Sequence, residues 1–133
     1  MNYISLCLGI LDLDNAIRFA GIASIDNGTI LAAEYRLGVK PLLTIKESEL
    51  SIMQSLIRMS TRKTLEQKLG KTVYATAFYE KVKRATIVMY NEGEKLDALL
   101  MVSFEKDSDH EAIITKKILP FLGNIGKGLS GTC

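Results

Sequence analysis

The only histidine of the chain, His110, is the residue best suited to acid–base chemistry near neutral pH. A general base must lie within reach of the proton it removes, and no pattern in the sequence brings a serine or cysteine nucleophile to this histidine. The alternating carboxylates Asp107, Asp109 and Glu111 are spaced like calcium ligands. The run lacks the glycine and the distal bidentate glutamate of a calcium-binding loop. We interpret His110 and its acidic neighbours as the first turn of a helix.

The two cysteines and a glycine-rich run are the other candidates for chemistry. Cys7 and Cys133 form no C-x-x-C motif, and with one histidine they cannot assemble a common zinc site. Cys7 falls on an apolar helical face, which favours a small buried residue over a nucleophile. Residues 123–128 are similar to a phosphate-binding loop, but only two residues separate the first glycines and the run follows a helix. We therefore predict a non-enzymatic protein with no catalytic residue, metal or cofactor.

Basic side chains suggest a binding function instead. They gather in the middle of the chain, whereas the later part is acidic. The net charge is only +2 and tryptophan is absent, so nucleic acid is a poor candidate partner. The basic residues form either a solvated face or a surface for an anionic partner, more readily a protein than a nucleic acid. The candidate partner surface comprises Arg58, Arg62, Lys63, Lys81, Lys83 and Arg84.

The first elements that would position these residues are a short helix and a hairpin. The helix is predicted over 3–14, with one apolar face at helical spacing. That face comprises Ile4, Cys7, Leu8 and Leu11. Two apolar runs, 17–25 and 29–36, follow on either side of Asn27-Gly28. Asn-Gly between apolar runs predicts a two-residue type I′ turn, because both of its central residues take positive φ.

A long helix is predicted after the loop at 37–43. Thr44 and Glu47 match a capping box, which starts the helix, and Gly70 stands where a left-handed residue ends it, after Leu69. The predicted buried face comprises Leu50, Met53, Leu56, Ile57 and Ser60. Ile52 and Met59 lie beyond this face and would be available to a second copy.

Three more strands and a last helix complete the pattern. The strands are predicted over 72–80, 84–90 and 96–104, and the last is nearly continuously apolar, as a central strand should be. A second capping box at Ser108 would open the last helix, and Pro120 should end or kink it. The residues expected in the core are Ile57, Leu100, Met101 and Ile114.

The element order predicts an α+β fold, a five-stranded antiparallel sheet flanked by helices. The order is helix–strand–strand–helix–strand–strand–strand–helix, in one domain over 1–122 with a flexible glycine-rich tail over 123–133. No stretch approaches the roughly 18 apolar residues of a membrane span. No support exists for a disulfide, which favours a reducing compartment, and we expect the cytoplasm.

The hairpin segment from Ile17 to Ala32, with its apolar strand, acidic-glycine turn and second apolar strand, resembles the opening of roadblock-family domains. The element order is similar to theirs and, more loosely, to the longin and profilin folds. The resemblance extends over about residues 3–122, and the chain is also similar to small archaeal proteins. It implies a dimeric scaffold or regulator of small GTPases, whose dimers join sheets edge to edge and pair their long helices, with no active-site residues.

Two classes of function are therefore open. The first is a homodimeric interaction module, since the third strand carries no proline or charge from Thr72 to Tyr79 and would be an unguarded edge. The candidate dimer interface comprises Ile52, Met59, Val73, Ala75, Ala77 and Tyr79. The second class is a small-molecule-binding sensory domain of the PAS/GAF-like type, because small residues on the first and third strands could leave ligand space. A polar-lined cavity of at least ~300 Å³ would favour the sensor.

Overall fold

The computed structural model describes residues 2–91 and 96–131, with side chains as far as residue 125. The predicted element order is confirmed, with small shifts at the boundaries. In chain order the elements are α1 (Tyr3–Leu11), β1 (Ile17–Ser24), β2 (Ile30–Tyr35), α2 (Ile45–Lys63), α3 (Glu66–Leu69), β3 (Tyr74–Phe78), β4 (Val82–Tyr90), β5 (Leu96–Glu105), α4 (His110–Ile113), a π-helical turn (Ile114–Ile118) and α5 (Leu119–Gly131). Most of the loop predicted at 91–95, and Cys133 with any disulfide it could form, lie outside the described residues.

The strands form one antiparallel sheet in the order β2-β1-β5-β4-β3. The apolar strand β5 is central, as its sequence predicts, and the predicted edge position of β3 is confirmed. Successive side chains of β5 point to opposite faces of the sheet. Leu100, Val102 and Phe104 therefore pack on one layer of helices, while Leu99 and Met101 face α2.

The first face of the sheet carries the main core. Helix α1 and the C-terminal helices cover it, and Cys7, Ile10, Ile114 and Ile118 are fully buried there. Leu100, predicted in the core, is fully buried, and so is Ile114. On α1, however, Ile4 and Leu8 are 53% and 46% exposed, because the helix turns Leu6 and Ile10 toward the sheet instead.

The second face of the sheet is covered by α2, and the predicted buried face of this helix is wrong. Ile57 is 63% exposed and Leu50 is 62% exposed, whereas Ile52 and Met59 are 3% and 4% exposed. Ile52 packs against Ala23 and Met101, and Met59 packs against Val88 and Leu99. The sheet side of α2 is thus the stripe with i, i+4 and i+7 spacing at Ile52, Leu56 and Met59.

Turns and caps match the sequence in part. The capping box of α2 is present, since the Glu47 amide donates to Thr44 Oγ1 (3.1 Å) and the Thr44 amide donates to Glu47 Oε1 (2.9 Å). The hairpin is confirmed, but five residues link its strands instead of two, with Gly28 at φ +73°. Asp109, and not Ser108, caps α4 by accepting from the Ala112 amide (3.2 Å).

The long helix ends earlier than predicted. It stops at Lys63, and a separate turn of helix, α3, runs to Leu69 before Gly70 takes a positive φ of +83°. At the C-terminus, Pro120 does not stop the helix, which continues to Gly131. A π-helical turn over Ile114–Ile118 precedes this proline, and such a bulge relieves the loss of the proline N–H and the clash of its ring.

The helical backbone through Gly131 occupies most of the segment predicted as a flexible tail. Among the helices of the described ranges, none has both the length and the apolar character needed to cross a membrane.

Candidate functional site

The residues singled out for chemistry do not assemble into a reactive centre. His110 begins α4 and its ring contacts Phe104 edge-on, with centroids 6.1 Å apart. Cys7 is fully buried, and this burial, with a smaller effect from Glu34, raises the pKa of its thiol to about 11. A thiol with so high a pKa is not a nucleophile at neutral pH. Residues 2–91 and 96–125 contain no group of three or more side chains suited to holding a metal ion.

Helix α2 covers only part of the sheet face beneath it. Its contacts, through Ile52 and Met59, lie over the rows of the sheet that contain Met101 and Leu99. The next row contains Phe19, Ser103 and Arg84, which are register partners across β1, β5 and β4. The row lines an opening beneath the first turns of α2.

This opening is a large cleft between β2, the loop at 36–44 and the N-terminal half of α2, which we call the apolar cleft. Its volume is about 1040 Å³. The Phe19 and Tyr35 rings contact each other at its floor in a tilted arrangement, with centroids 4.6 Å apart. The Phe19 ring occupies the space where a side chain on Gly21 would lie. Leu43 and Leu50 form part of its outer wall, so the cleft exposes apolar surface that the protomer itself does not cover.

A smaller cleft adjoins the apolar cleft, between α2 and strands β3 and β4, and we call it the arginine cleft. The two clefts share lining residues, namely Ser51, Gln54, Tyr79, Arg84 and Met101. The volume of the arginine cleft is about 70 Å³. Arg58 and Arg62 of α2 and Arg84 of β4 line it together. These three come from the six residues of the candidate partner surface, so the fold unites half of that set.

The other three residues of the candidate partner surface lie apart from this cleft. Lys83 donates to the Ser108 carbonyl (2.6 Å) and stands 4.8 Å from the Phe78 ring centroid. Lys81 lines the apolar cleft, and Lys63 ends α2. The alternation of side chains along β4 explains why Lys83 and Arg84 point to opposite faces of the sheet.

The residues of the candidate dimer interface fall into a partly exposed group on or beside β3 and an enclosed group on α2. Ala75 and Ala77 of β3 lie half-buried on the α2 side, and Val73 and Tyr79, which flank the strand, are 54% and 48% exposed. Ile52 and Met59 are instead enclosed by this protomer's own sheet, so in this conformation neither side chain is available to a second copy.

The apolar residues of α2 that face outward were missed as surface residues. Leu50, Met53 and Ile57 form an exposed stripe on the side of the helix opposite Ile52 and Met59. The signal was present in the sequence, because α2 carries two apolar stripes, and a helix can bury only one of them against a single sheet. We call Leu50, Met53 and Ile57 the outer stripe.

Two arginines outside the arginine cleft are committed to the fold. Arg36 donates to the main-chain carbonyls of Ile17 (2.7 Å), Asp14 (2.7 Å) and Leu11, tying the end of α1 to β1. Arg18 pairs with Glu105 at 3.1 Å. Nearby, the Asp14 carboxylate accepts from Lys117 Nζ (2.8 Å) and from the Ala16 amide (2.8 Å), which lowers its pKa.

Comparisons with known proteins find similar structures at low sequence identity. No protein-family model and no curated protein sequence matches the chain. The structure of the gliding protein MglB from Thermus thermophilus aligns with a TM-score of 0.66 and 12% identity, covering 94% of this chain and 82% of that one. A structure described as MglB with tetrameric arrangement gives a TM-score of 0.68 and 15% identity, covering 95% and 88%. MglC from Myxococcus xanthus aligns with a TM-score of 0.51 and 10% identity, covering 84% and 86%.

The shared architecture extends over nearly the whole chain. The protein has a roadblock-like fold, as the hairpin and the element order predict. The similarity to small archaeal proteins stays a prediction.

Proposed function

We propose that this roadblock-like domain is a non-enzymatic regulatory module that works as a homodimer and binds a small GTPase. The outer stripe carries the proposal. Three large apolar side chains of one helix, each 49–63% exposed, are costly to leave in water along a continuous line. A second helix packed on this stripe would remove that cost.

The edge strand β3 supports the same proposal. It has no charged residue or proline within Tyr74–Phe78, and the flanking Val73 and Tyr79 are exposed. An unguarded edge is a template for pairing, and a two-fold axis lets the same strand pair with its copy and close the assembly. The tetrameric arrangement described for one MglB structure supports assembly as a use of this fold. The proposed interface therefore comprises β3 and the outer stripe, in place of Ile52 and Met59.

Light scattering tests the dimer. We expect twice the 14.7 kDa chain mass at about 100 μM protein. Ile57→Glu should shift the mass toward the monomer, because it places two carboxylates near the axis. Leu37→Glu is the matched control, since Leu37 is a fully exposed apolar residue outside the proposed interface. A monomer mass for the unmodified chain at this concentration would refute the dimer.

Amide hydrogen exchange locates the joint. If β3 pairs across the axis, its outward amides should exchange more slowly as the protein concentration rises. Strand β2, the other edge of the sheet, serves as the internal control and should not change. Equal, concentration-independent exchange at both edges in a confirmed dimer would exclude the β3 joint.

The GTPase part rests on the resemblance of the fold and needs its own test. The immobilised protein should enrich a small GTPase from lysate loaded with a non-hydrolysable GTP analogue over one loaded with GDP, as identified by mass spectrometry. The purified GTPase should then bind the protein in solution. The mass of the complex should equal that of one dimer plus the bound GTPase. A dimer that enriches no GTPase in either nucleotide state would refute this part and leave the dimer standing.

A second candidate function is favoured by the volume of the apolar cleft. At about 1040 Å³ the cleft reaches the upper end of the range of small-molecule sites, roughly 300–1000 Å³. A sensor is expected to have a polar-lined cavity, but the walls of this cleft are mainly apolar and include the Phe19 and Tyr35 rings. They suit an apolar ligand better than a polar one.

An apolar fluorescent probe, anilinonaphthalene sulfonate, tests this ligand function. We expect saturable binding at one site per protomer, lost in Ala33→Glu, which puts a charge at the cleft, and retained in Leu37→Glu. Absence of saturable binding by the unmodified protein would remove the sensor as a candidate.

A further inference from the structure

The five arginines of the chain fall into two groups. Arg18 and Arg36 are held by Glu105 and by main-chain carbonyls. The side chains of Arg58, Arg62 and Arg84 form no hydrogen bond or ion pair with any residue in the parts of the chain that the structure describes. All three of these arginines line the arginine cleft, although they come from two different elements.

The remaining lining of the cleft suits a negative charge. Hydroxyl donors are supplied by Ser51 and Ser55 of α2 and by Thr86 of the sheet, and no carboxylate is among the described residues that line the cleft. Arg84 is half-buried at the floor, where the sheet holds its main chain in register with Ser103 and Ala77. Partial burial strengthens the electrostatic interaction of such a guanidinium with an opposite charge.

We propose that the arginine cleft is an oxyanion-binding site, which takes a phosphate or carboxylate group between Arg58, Arg62 and Arg84. Guanidinium groups match the planar pairs of oxygens on these anions and donate two parallel hydrogen bonds to them. Three like charges around a cleft of about 70 Å³ repel one another, and one anion would relieve that repulsion. The site needs only one protomer, so it goes beyond the proposed dimer and does not depend on it.

The anionic group could belong to a free ion or to a protein. Inorganic phosphate would occupy the cleft alone, whereas an acidic segment of a partner would present a carboxylate to the same three arginines. Inorganic phosphate is therefore the primary probe, and a hexaglutamate peptide is the second arm. Binding of both, with mutual competition, assigns the shared chemistry; tighter binding of the peptide identifies the carried form.

Thermal unfolding in sodium phosphate, against sodium chloride at equal ionic strength and pH, measures the binding. We expect the Tm to rise by about 5 °C at ten times the Kd and to go on rising with the logarithm of the phosphate concentration. Arg84→Gln and Arg58→Gln should each remove most of this rise. Lys63→Gln is the matched control, because it deletes one positive charge from the end of the same helix and does not line the cleft.

Three results would overturn the site. The first is a Tm in phosphate equal to the Tm in chloride. The second is a phosphate-dependent rise in Tm that survives in both arginine variants. The third is a loss of that rise in Lys63→Gln as large as in Arg84→Gln, which would indicate an effect of net charge alone. Arg58 is exposed on the helix surface, so the Arg58→Gln variant should fold. It therefore tests the site even if the Arg84→Gln variant does not fold. Light scattering on the same samples separates anion binding from any change in association.

Discussion

Truncating Ile52 and Ile57 in turn tests which side of α2 meets the sheet. The two residues belong to one helix and one residue type, but Ile52 is 3% exposed and Ile57 is 63% exposed. Ile52→Ala removes contacts with Ala23 and Met101 and leaves a cavity, so the free energy of unfolding should fall by about 2–5 kcal/mol. Ile57 keeps only about a third of its surface buried, so Ile57→Ala should cost less than about 1 kcal/mol within a protomer.

Urea denaturation followed by circular dichroism measures both losses. Each variant should be measured at about 1 μM and about 100 μM protein, because unfolding that is coupled to dissociation depends on concentration. The loss for Ile52→Ala should be similar at both concentrations. The loss for Ile57→Ala should grow at the higher one if the outer stripe is a dimer interface. A loss for Ile57→Ala as large as that for Ile52→Ala at the low concentration would mean that the helix is turned the other way.

Three further predictions concern the supports of the fold. Thr44→Ala should lower the free energy of unfolding by about 1 kcal/mol, because it removes the cap of α2, and a denaturation midpoint equal to that of the unmodified protein would contradict the cap. Gly28→Ala should cost about 1–2 kcal/mol, since Gly28 has a positive φ and a Cβ would lie 3.1 Å from Leu56; thermal unfolding checks this loss. The pKa of Asp14 is lowered, so its carboxylate contributes stability that is present above the usual carboxyl pKa of 3.8. This stability is lost as the pH falls through the lower folded-state pKa. Lys117→Gln should make the loss smaller, as measured by the free energy of unfolding over a series of acid pH values.

The fold could be predicted because local signals agree with one another. The Asn-Gly turn, the capping box at Thr44, the glycine after α3 and the apolar run of β5 each mark an element, and their order leaves few arrangements of a sheet. The side of α2 could not be predicted in the same way. Both of its apolar stripes fit helical periodicity, and only the position of the sheet decides which stripe is buried.

The candidate site depended even more on tertiary structure. Arg58 and Arg62 lie on one turn of the helix surface and were grouped from the sequence alone. Arg84 joins them only because β4 sits beside β3 beneath that side of α2. Lys81 and Lys83 were grouped with Arg84 by proximity along the chain, yet the alternation of a strand sends neighbours to opposite faces.

The central place of β5 has a consequence for the order in which the protein is made. Ribosomes produce β1 and β2 first, but the strand that joins this hairpin to the rest of the sheet ends at Glu105. Ile17 pairs with Phe104, a partner synthesised 87 residues later. Until then the inner edge of β1 is open, and strands that wait unpaired during synthesis are prone to aggregate. Nascent chains stopped before β5 should therefore need a chaperone, whereas chains in which β5 has emerged from the ribosome should complete the sheet unaided.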